Sequence, residues 1–241
     1  MRVTAARLTE HGQPLQVEEV DLAEPGPREV IMDVAFSGVN PVDLYAAQGR
    51  VAPDAPLPRT LGTEGAGMAD GRRVVARGHG IGTARDGLWA SAAVVPRDAL
   101  VDVPDGVELP EAAAMGVAGV TAWRAVAELA QVKADDTVLV LGASGGVGSI
   151  IVSAAHALGA TVAGQTGLES NADWIKQRGA DRVIVADAAR LAGAAADLHP
   201  TVAFDGVGGG FSPPGRRVKS SFPGCRAPGE FAWRLSRQRQ Q

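Results

Sequence analysis

The stretch best suited to chemistry is the glycine-rich turn GASGGVG, residues 142–148, which joins the apolar run TVLVLGA to the longer run GGVGSIIVSAAHALGA. A turn that follows a strand and opens a helix presents free backbone N–H groups and the positive end of the helix dipole, a ready seat for phosphate. Gly145 and Gly148 match the last two glycines of a dinucleotide-binding fingerprint, with Ala143 at the place of the first. In that reading Gly145 admits the backbone close to a pyrophosphate and Gly148 permits close packing of helix on strand. Gly145, Gly146, Val147 and Gly148 are therefore the expected cofactor contacts. The alternative is a glycine-rich turn with no ligand, and the alternation of strands and helices around it favours the dinucleotide.

The choice of dinucleotide turns on the end of the next strand. A site selective for NAD places an acidic residue about 20 positions after the turn, on the ribose 2′-hydroxyl. Here those positions are Gln165, Thr166 and Gly167, and the first acid is Glu169. The expected cofactor is NADP(H), with Thr166 at the adenosine end and Lys176 or Arg178 facing the 2′-phosphate.

The elements that must position these residues fall into two patterns. Residues 1 to about 110 read as short strands punctuated by Gly and Pro, as in an antiparallel barrel. EVIMDVAFSGVN sets Val30, Met32, Val34 and Phe36 on one face at period two, and GRRVVARG and LWASAAVVP are further strand candidates. After Pro104-Asp105-Gly106 the sequence turns helical from Glu111 to Ala130. From Asp136 it alternates: strand TVLVLGA, helix, strand TVAGQT, helix NADWIKQRGA, strand RVIVAD, strand TVAFDGVGG. Such alternation predicts a doubly wound parallel sheet. The expected organisation is a domain over 1–118, a partial dinucleotide-binding domain over 119–210 and a basic, disordered tail over 211–241.

Composition narrows the function classes. With 46% hydrophobic residues, 21% charged and a formal charge of -4, the chain has no overall mark of a nucleic-acid or membrane binder. The run 137–168 has no charged residue, but seven glycines interrupt it, so a buried strand-turn-helix-strand explains it better than a membrane span. The single cysteine, Cys225, excludes an internal disulfide framework, and the N-terminus has no apolar segment of signal-peptide length. The expected location is the cytoplasm.

Five segments in order, SGVNPVDLYAAQG (37–49), LGTEGAG (61–67), GVTAW (119–123), GASGGVG (142–148) and GADRVIV (179–185), resemble the medium-chain dehydrogenase/reductase superfamily. Within it the chain resembles the zinc-free quinone oxidoreductases and related enoyl reductases, from residue 1 to about 210. The short-chain dehydrogenases resemble it only at the turn, since the single tyrosine, Tyr45, precedes the turn and is followed four residues on by Gly49 rather than Lys. The resemblance implies an α/β chain: a GroES-like β-barrel domain, then a Rossmann-type parallel sheet whose C-terminal part is missing.

It also implies chemistry. Zinc-dependent members carry a Cys in the early loop and a Gly-His-Glu step, whereas this chain reads Ser37-Gly38-Val39-Asn40 and Gly62-Thr63-Glu64, and its four histidines have no ligand spacing. No metal is expected. The implied reaction is hydride transfer from NADPH to a quinone or an activated C=C (enone). Asn40, Asp43 and Tyr45 would line the cleft beside the nicotinamide, and Thr121 would contact the cofactor. Tyr45 would orient a substrate oxygen or donate a proton, with packing at the cleft edge as its alternative. An Asx-type turn around Pro41 is the alternative role for Asn40 and Asp43. The aromatic often found a few residues after the tyrosine is missing, the sequence there being Gly49-Arg50-Val51. An enoyl-thioester reductase, or a remnant that binds a dinucleotide without catalysis, are the alternative functions. The expected partners are a small molecule and a second copy in a homodimer, without membrane or nucleic acid.

Residues 211–241 depart from the rest. They hold seven Lys and Arg against one acid, a local charge of +6 beside -10 for residues 1–210. Three readings stand: a nucleic-acid arm carrying Phe222, Phe231 and Trp233, a disordered terminus, or a shifted reading frame after the fourth strand. With the family's outer strands absent, that fourth strand is expected to have an unpaired apolar edge.

Overall fold

The computed structural model describes residues 1–208 and the two-residue strand Arg234–Leu235. The chain divides into two compact units, Met1–Val117 and Ala118–Gln241.

The first unit is built of antiparallel strands. β1 (Arg2–Leu8) lies between β2 (Gln16–Asp21) and β4 (Arg59–Thr60) in a three-stranded sheet. A five-stranded sheet runs in the order β7 (Ala92–Pro96), β3 (Glu29–Ser37), β5 (Glu64–Ala69), β6 (Arg72–Arg77), β8 (Leu100–Asp102). Val30 and Met32 of β3 pack with Val74, Ala76, Leu88 and Val95 in the core. Phe36 does not follow them. The β3–β5 register shifts between Val34 and Phe36, where the pairing jumps from Gly67 to Ala66. One extra residue reverses the side-chain alternation, so Phe36 is 46% exposed and leaves the face predicted for it.

Two helices complete this unit. α1 (Pro41–Ala47) follows Asn40, with proline in its first turn where a missing N–H costs nothing. α2 (Leu109–Ala113) is shorter than the continuous helix predicted over Glu111–Ala130. The chain breaks at Gly116 and resumes as α3 (Ala118–Trp123), which runs on into a π-helical turn over Arg124–Leu129.

The second unit carries a sheet in the order β11 (Arg182–Val185), β10 (Thr161–Thr166), β9 (Thr137–Leu141), β12 (Val202–Asp205), β13 (Arg234–Leu235). The first four strands are parallel, joined through α4 (Gly146–Ala157), α5 (Ala172–Gln177) and α6 (Ala188–Ala194). This is a Rossmann-type order, in which the chain reverses direction across the sheet beside β9, the place where such folds bind ligands. Val138 and Val140 of β9, Ile151 and Val152 of α4, and Phe204 of β12 share one apolar core. Leu139, Leu141, Ile184 and Leu191 form the core on the sheet's other side. Burial on both faces explains the uninterrupted apolar strands.

The expectation of an unpaired edge on the fourth strand is corrected by β13, which pairs antiparallel with β12 at Phe204↔Leu235 and Asp205↔Arg234. The rest of the expected basic tail lies outside the described residues. Among the described residues no helix is long and apolar enough to cross a membrane.

Candidate functional site

In the second unit the glycine-rich turn is held from three sides. Gly142, at φ +66°, makes the tight turn out of β9, and its carbonyl accepts the N–H of Gly145 at 2.9 Å. Ala143, which the sequence placed at the turning position, is instead fully buried in the core. Gln165 anchors the turn from β10: its backbone oxygen accepts Ala143 N–H at 2.8 Å, and its Oε1 accepts Gly142 N–H at 3.0 Å. The other end of that side chain donates to the Ala186 carbonyl at 2.6 Å. From β12, Asp205 Oδ1 accepts the N–H groups of Val207 and Gly208 at 3.0 and 2.7 Å. That loop stands beside the turn, since a β carbon on Gly142 would lie 2.7 Å from the Val207 side chain.

Three glycines of the turn divide by role. A β carbon on Gly148 would sit 2.2 Å from the Gly142 oxygen, so no side chain fits. Gly145 caps α4 in extended backbone, and a β carbon there would meet only the Gly142 oxygen, at 3.3 Å. A β carbon on Gly146 would lie 3.9 Å from that of Ala118 on α3, an ordinary contact distance. Gly145 and Gly146 are exposed, Val147 is half-buried, and no side chain caps this end of the helix. The first N–H groups of a twelve-residue helix thus point outward without an intrahelical partner. Backbone donors, an open approach and a helix dipole fit a dinucleotide pyrophosphate.

At the end of β10, Thr166 is buried at 2% exposure. Its hydroxyl accepts Leu168 N–H at 3.3 Å and the Asn171 amide at 3.4 Å, with Ser144 Oγ at 3.5 Å. Ser144 lies inside the glycine-rich turn, so the structure brings Thr166 to it. Lys176 is not brought there. It occupies the last turn of α5, exposed, toward the starts of the strands, whereas the turn and Thr166 stand at their ends. Arg178 lies with its guanidinium 4.9 Å from the Trp174 ring centre. Thr121 is half-buried on α3, one turn from the Ala118 that Gly146 faces.

In the first unit Asn40, Asp43 and Tyr45 share the loop and first turns of α1. Asp43 Oδ2 accepts Asn40 N–H at 2.7 Å, and Oδ1 accepts Thr63 N–H at 3.0 Å. Asp43 is 1% exposed, and burial raises its pKa above the ordinary aspartate value despite those donors. Reaching back three residues to the N–H of Asn40, Asp43 fills the acidic half of a capping box at the start of α1 rather than an Asx-type turn. Tyr45 is half-buried, with the Arg50 guanidinium 4.4 Å from its ring centre, so a cation covers one face of the only tyrosine.

Sequence reasoning missed Glu64, whose carboxylate is the centre of this network. Its Oε1 accepts the Asn40 side-chain amide and its Oε2 accepts Val117 N–H, each at 2.5 Å. Glu64 is 1% exposed; burial raises its pKa, opposed by those donors, with the nearby Asp43 charge raising it further. A lone acid among apolar and small residues in LGTEGAG was the available signal. Among the described residues no group of three or more His, Cys, Asp or Glu is placed to hold a metal ion.

No family model matches the chain. YhfP of Bacillus subtilis (strain 168) is 39% identical in an alignment of 178 positions that covers 68% of this chain and 52% of that protein. The human quinone oxidoreductase is 33% identical in an alignment of 188 positions that covers 74% of this chain and 57% of that protein. The quinone oxidoreductase structure from Pseudomonas syringae pv. Tomato DC3000 superposes with a TM-score of 0.76 at 29% identity, covering 87% of this chain and 67% of that one. Over most of its length this chain is similar to quinone oxidoreductases, in sequence and in fold. It spans just over half the length of these two sequence relatives.

The likeness extends to the fold, an antiparallel β unit followed by a Rossmann-type unit, with the glycine-rich turn at the end of the first parallel strand.

Proposed function

We propose that the chain reduces a quinone or an activated C=C (enone) with NADPH and without a metal ion. The observation that carries this is the glycine-rich turn: open and uncapped at Gly145 and Gly146, closed to any side chain at Gly148, and followed on β10 by a threonine rather than a carboxylate. The residues that would hold the dinucleotide are Gly145, Gly146, Val147 and Gly148 at the pyrophosphate, with Thr166 and Ser144 at the adenosine end. Thr121 serves the same cofactor from α3. Thr166, standing where an NAD-selective site would carry an acid, brings no charge of its own against a 2′-phosphate. Lys176 contributes at most a distant charge, given its place at the far end of α5.

When bound, the nicotinamide supplies the hydride. The chain's own residues have the simpler tasks of binding and orientation. Asn40, fixed by Glu64, offers an amide toward the acceptor's oxygen, while Asp43 holds the backbone that carries Asn40 and Thr63. Tyr45 orients the acceptor through its hydroxyl, its ring steadied by Arg50. Neither Asp43 nor Glu64 serves as the proton source, because each carboxylate already accepts donors at both oxygens.

The test is oxidation of NADPH by the purified chain with simple quinones, enones and enoyl thioesters, with and without a metal chelator. Chelator-insensitive reduction of quinones or enones supports the proposal. Turnover of enoyl thioesters alone would replace it with the thioester reading, and turnover lost on chelation would overturn the metal-free mechanism.

A further inference from the structure

Glu64 binds together two pieces of chain that lie far apart in sequence. One oxygen takes the amide of Asn40, 24 residues before it, and the other takes the N–H of Val117, 53 residues after it. Val117 is the last residue of the first unit, directly before α3. The fit around the carboxylate is close on two sides. A β carbon on Gly38 would come within 2.2 Å of Oε1, and one on Gly116 within 2.7 Å of Oε2. Gly38 also donates its N–H to the Glu64 backbone oxygen at 3.2 Å. The break between α2 and α3 thus occurs where the chain must come flush against a buried acid.

From this geometry we infer that Glu64 is a positioning residue, whose carboxylate ties the placement of the Asn40 amide to the backbone at Gly116 and Val117. Charge-assisted hydrogen bonds are the strongest short-range tethers available to a buried group. A carboxylate also offers acceptors on both sides, which no neutral side chain of the same shape does. In Glu64→Gln one of the two donors, from Asn40 or from Val117, would face an NH2 group instead of an oxygen. The inference rests on the proposal that Asn40 orients the acceptor.

The test is a double-mutant cycle joined to amide exchange. Glu64→Gln should lower kcat/KM for the acceptor by about tenfold, the worth of one charged hydrogen bond, while the dissociation constant for NADPH is unchanged. In an Asn40→Ala background the same substitution should cost less than about twofold, because its route to the acceptor is already gone. Equal losses in both backgrounds, or none in either, would overturn the inference. A second measurement covers the case in which Glu64→Gln does not fold. In Asn40→Ala alone, exchange at the Val117 amide should accelerate by about tenfold, and an unchanged rate would overturn the coupling. If the unaltered chain reduces no acceptor, the functional proposal fails by itself, and the exchange rate still decides the coupling.

Discussion

Gly148 stands directly against the carbonyl of Gly142, so that a β carbon on it would lie 2.2 Å from the oxygen and 3.0 Å from the carbonyl carbon. Both partners are backbone of the turn itself and cannot swing aside. Gly148→Ala should therefore destabilise the second unit by about 1–3 kcal/mol, the usual cost of overpacking, as measured by denaturant unfolding. Gly145→Ala is the contrast. Its backbone angles suit any residue, and its nearest atom would be 3.3 Å away. The variant should unfold within about 1 kcal/mol of the parent yet bind NADPH at least about tenfold more weakly, since the methyl group stands where phosphate is proposed to approach.

Selectivity for the 2′-phosphate is tested at Gly167, where a β carbon would meet nothing within 4 Å. Gly167→Asp supplies the acid that the end of β10 lacks. Affinity for NADPH should fall by about tenfold or more through like-charge repulsion, while affinity for NADH holds or improves. Titration calorimetry with both dinucleotides reads the ratio, and an unchanged preference would remove Thr166 and its neighbours from the adenosine site.

The buried amide of Gln165 bridges Gly142 N–H and the Ala186 carbonyl. Gln165→Leu leaves a donor and an acceptor unpaired inside the protein and should cost about 2–4 kcal/mol, read as a lower thermal midpoint.

Two carboxylates give opposite pH signatures. Glu64 has a folded pKa raised above the ordinary 4.5 by burial, so between 4.5 and its raised value the folded state binds more protons than the unfolded one. The stability of the parent relative to Glu64→Gln should therefore fall as pH rises through that interval. Glu29 is the reverse case. The side-chain hydrogen bond from Arg85, aided by Gly26 N–H, lowers its pKa below 4.5. The parent's advantage over Glu29→Gln should be complete above 4.5 and disappear as pH falls through the depressed value. Thermal midpoints of the three proteins across acid pH check both signs, and parallel curves would contradict both.

The parallel strands and the glycine-rich turn were legible because burial on both faces of a sheet writes itself as long apolar runs, with glycines only where the chain must reverse. Phe36 was misread because a single extra residue in β3 leaves no mark on a period-two pattern, yet it turns the following side chain outward. The break in the helix predicted over Glu111–Ala130 was hidden for another reason. Ala-rich sequence favours helix locally, and the competing demand comes from Glu64, about fifty residues earlier, pressing on Gly116. Gln165 was read as the absence of an acid, whereas its side chain is an anchor for the turn. Long-range hydrogen bonds of this kind cannot be seen in local spacing, and they carry much of the candidate site.

The most direct measurement is the thermal unfolding midpoint of the purified chain alone, with NADH and with NADPH. A ligand that binds only the folded state, at 100 times its dissociation constant, adds about 2.7 kcal/mol of stability. The account predicts a clear rise with NADPH and a much smaller one with NADH. A midpoint that neither dinucleotide moves would contradict it.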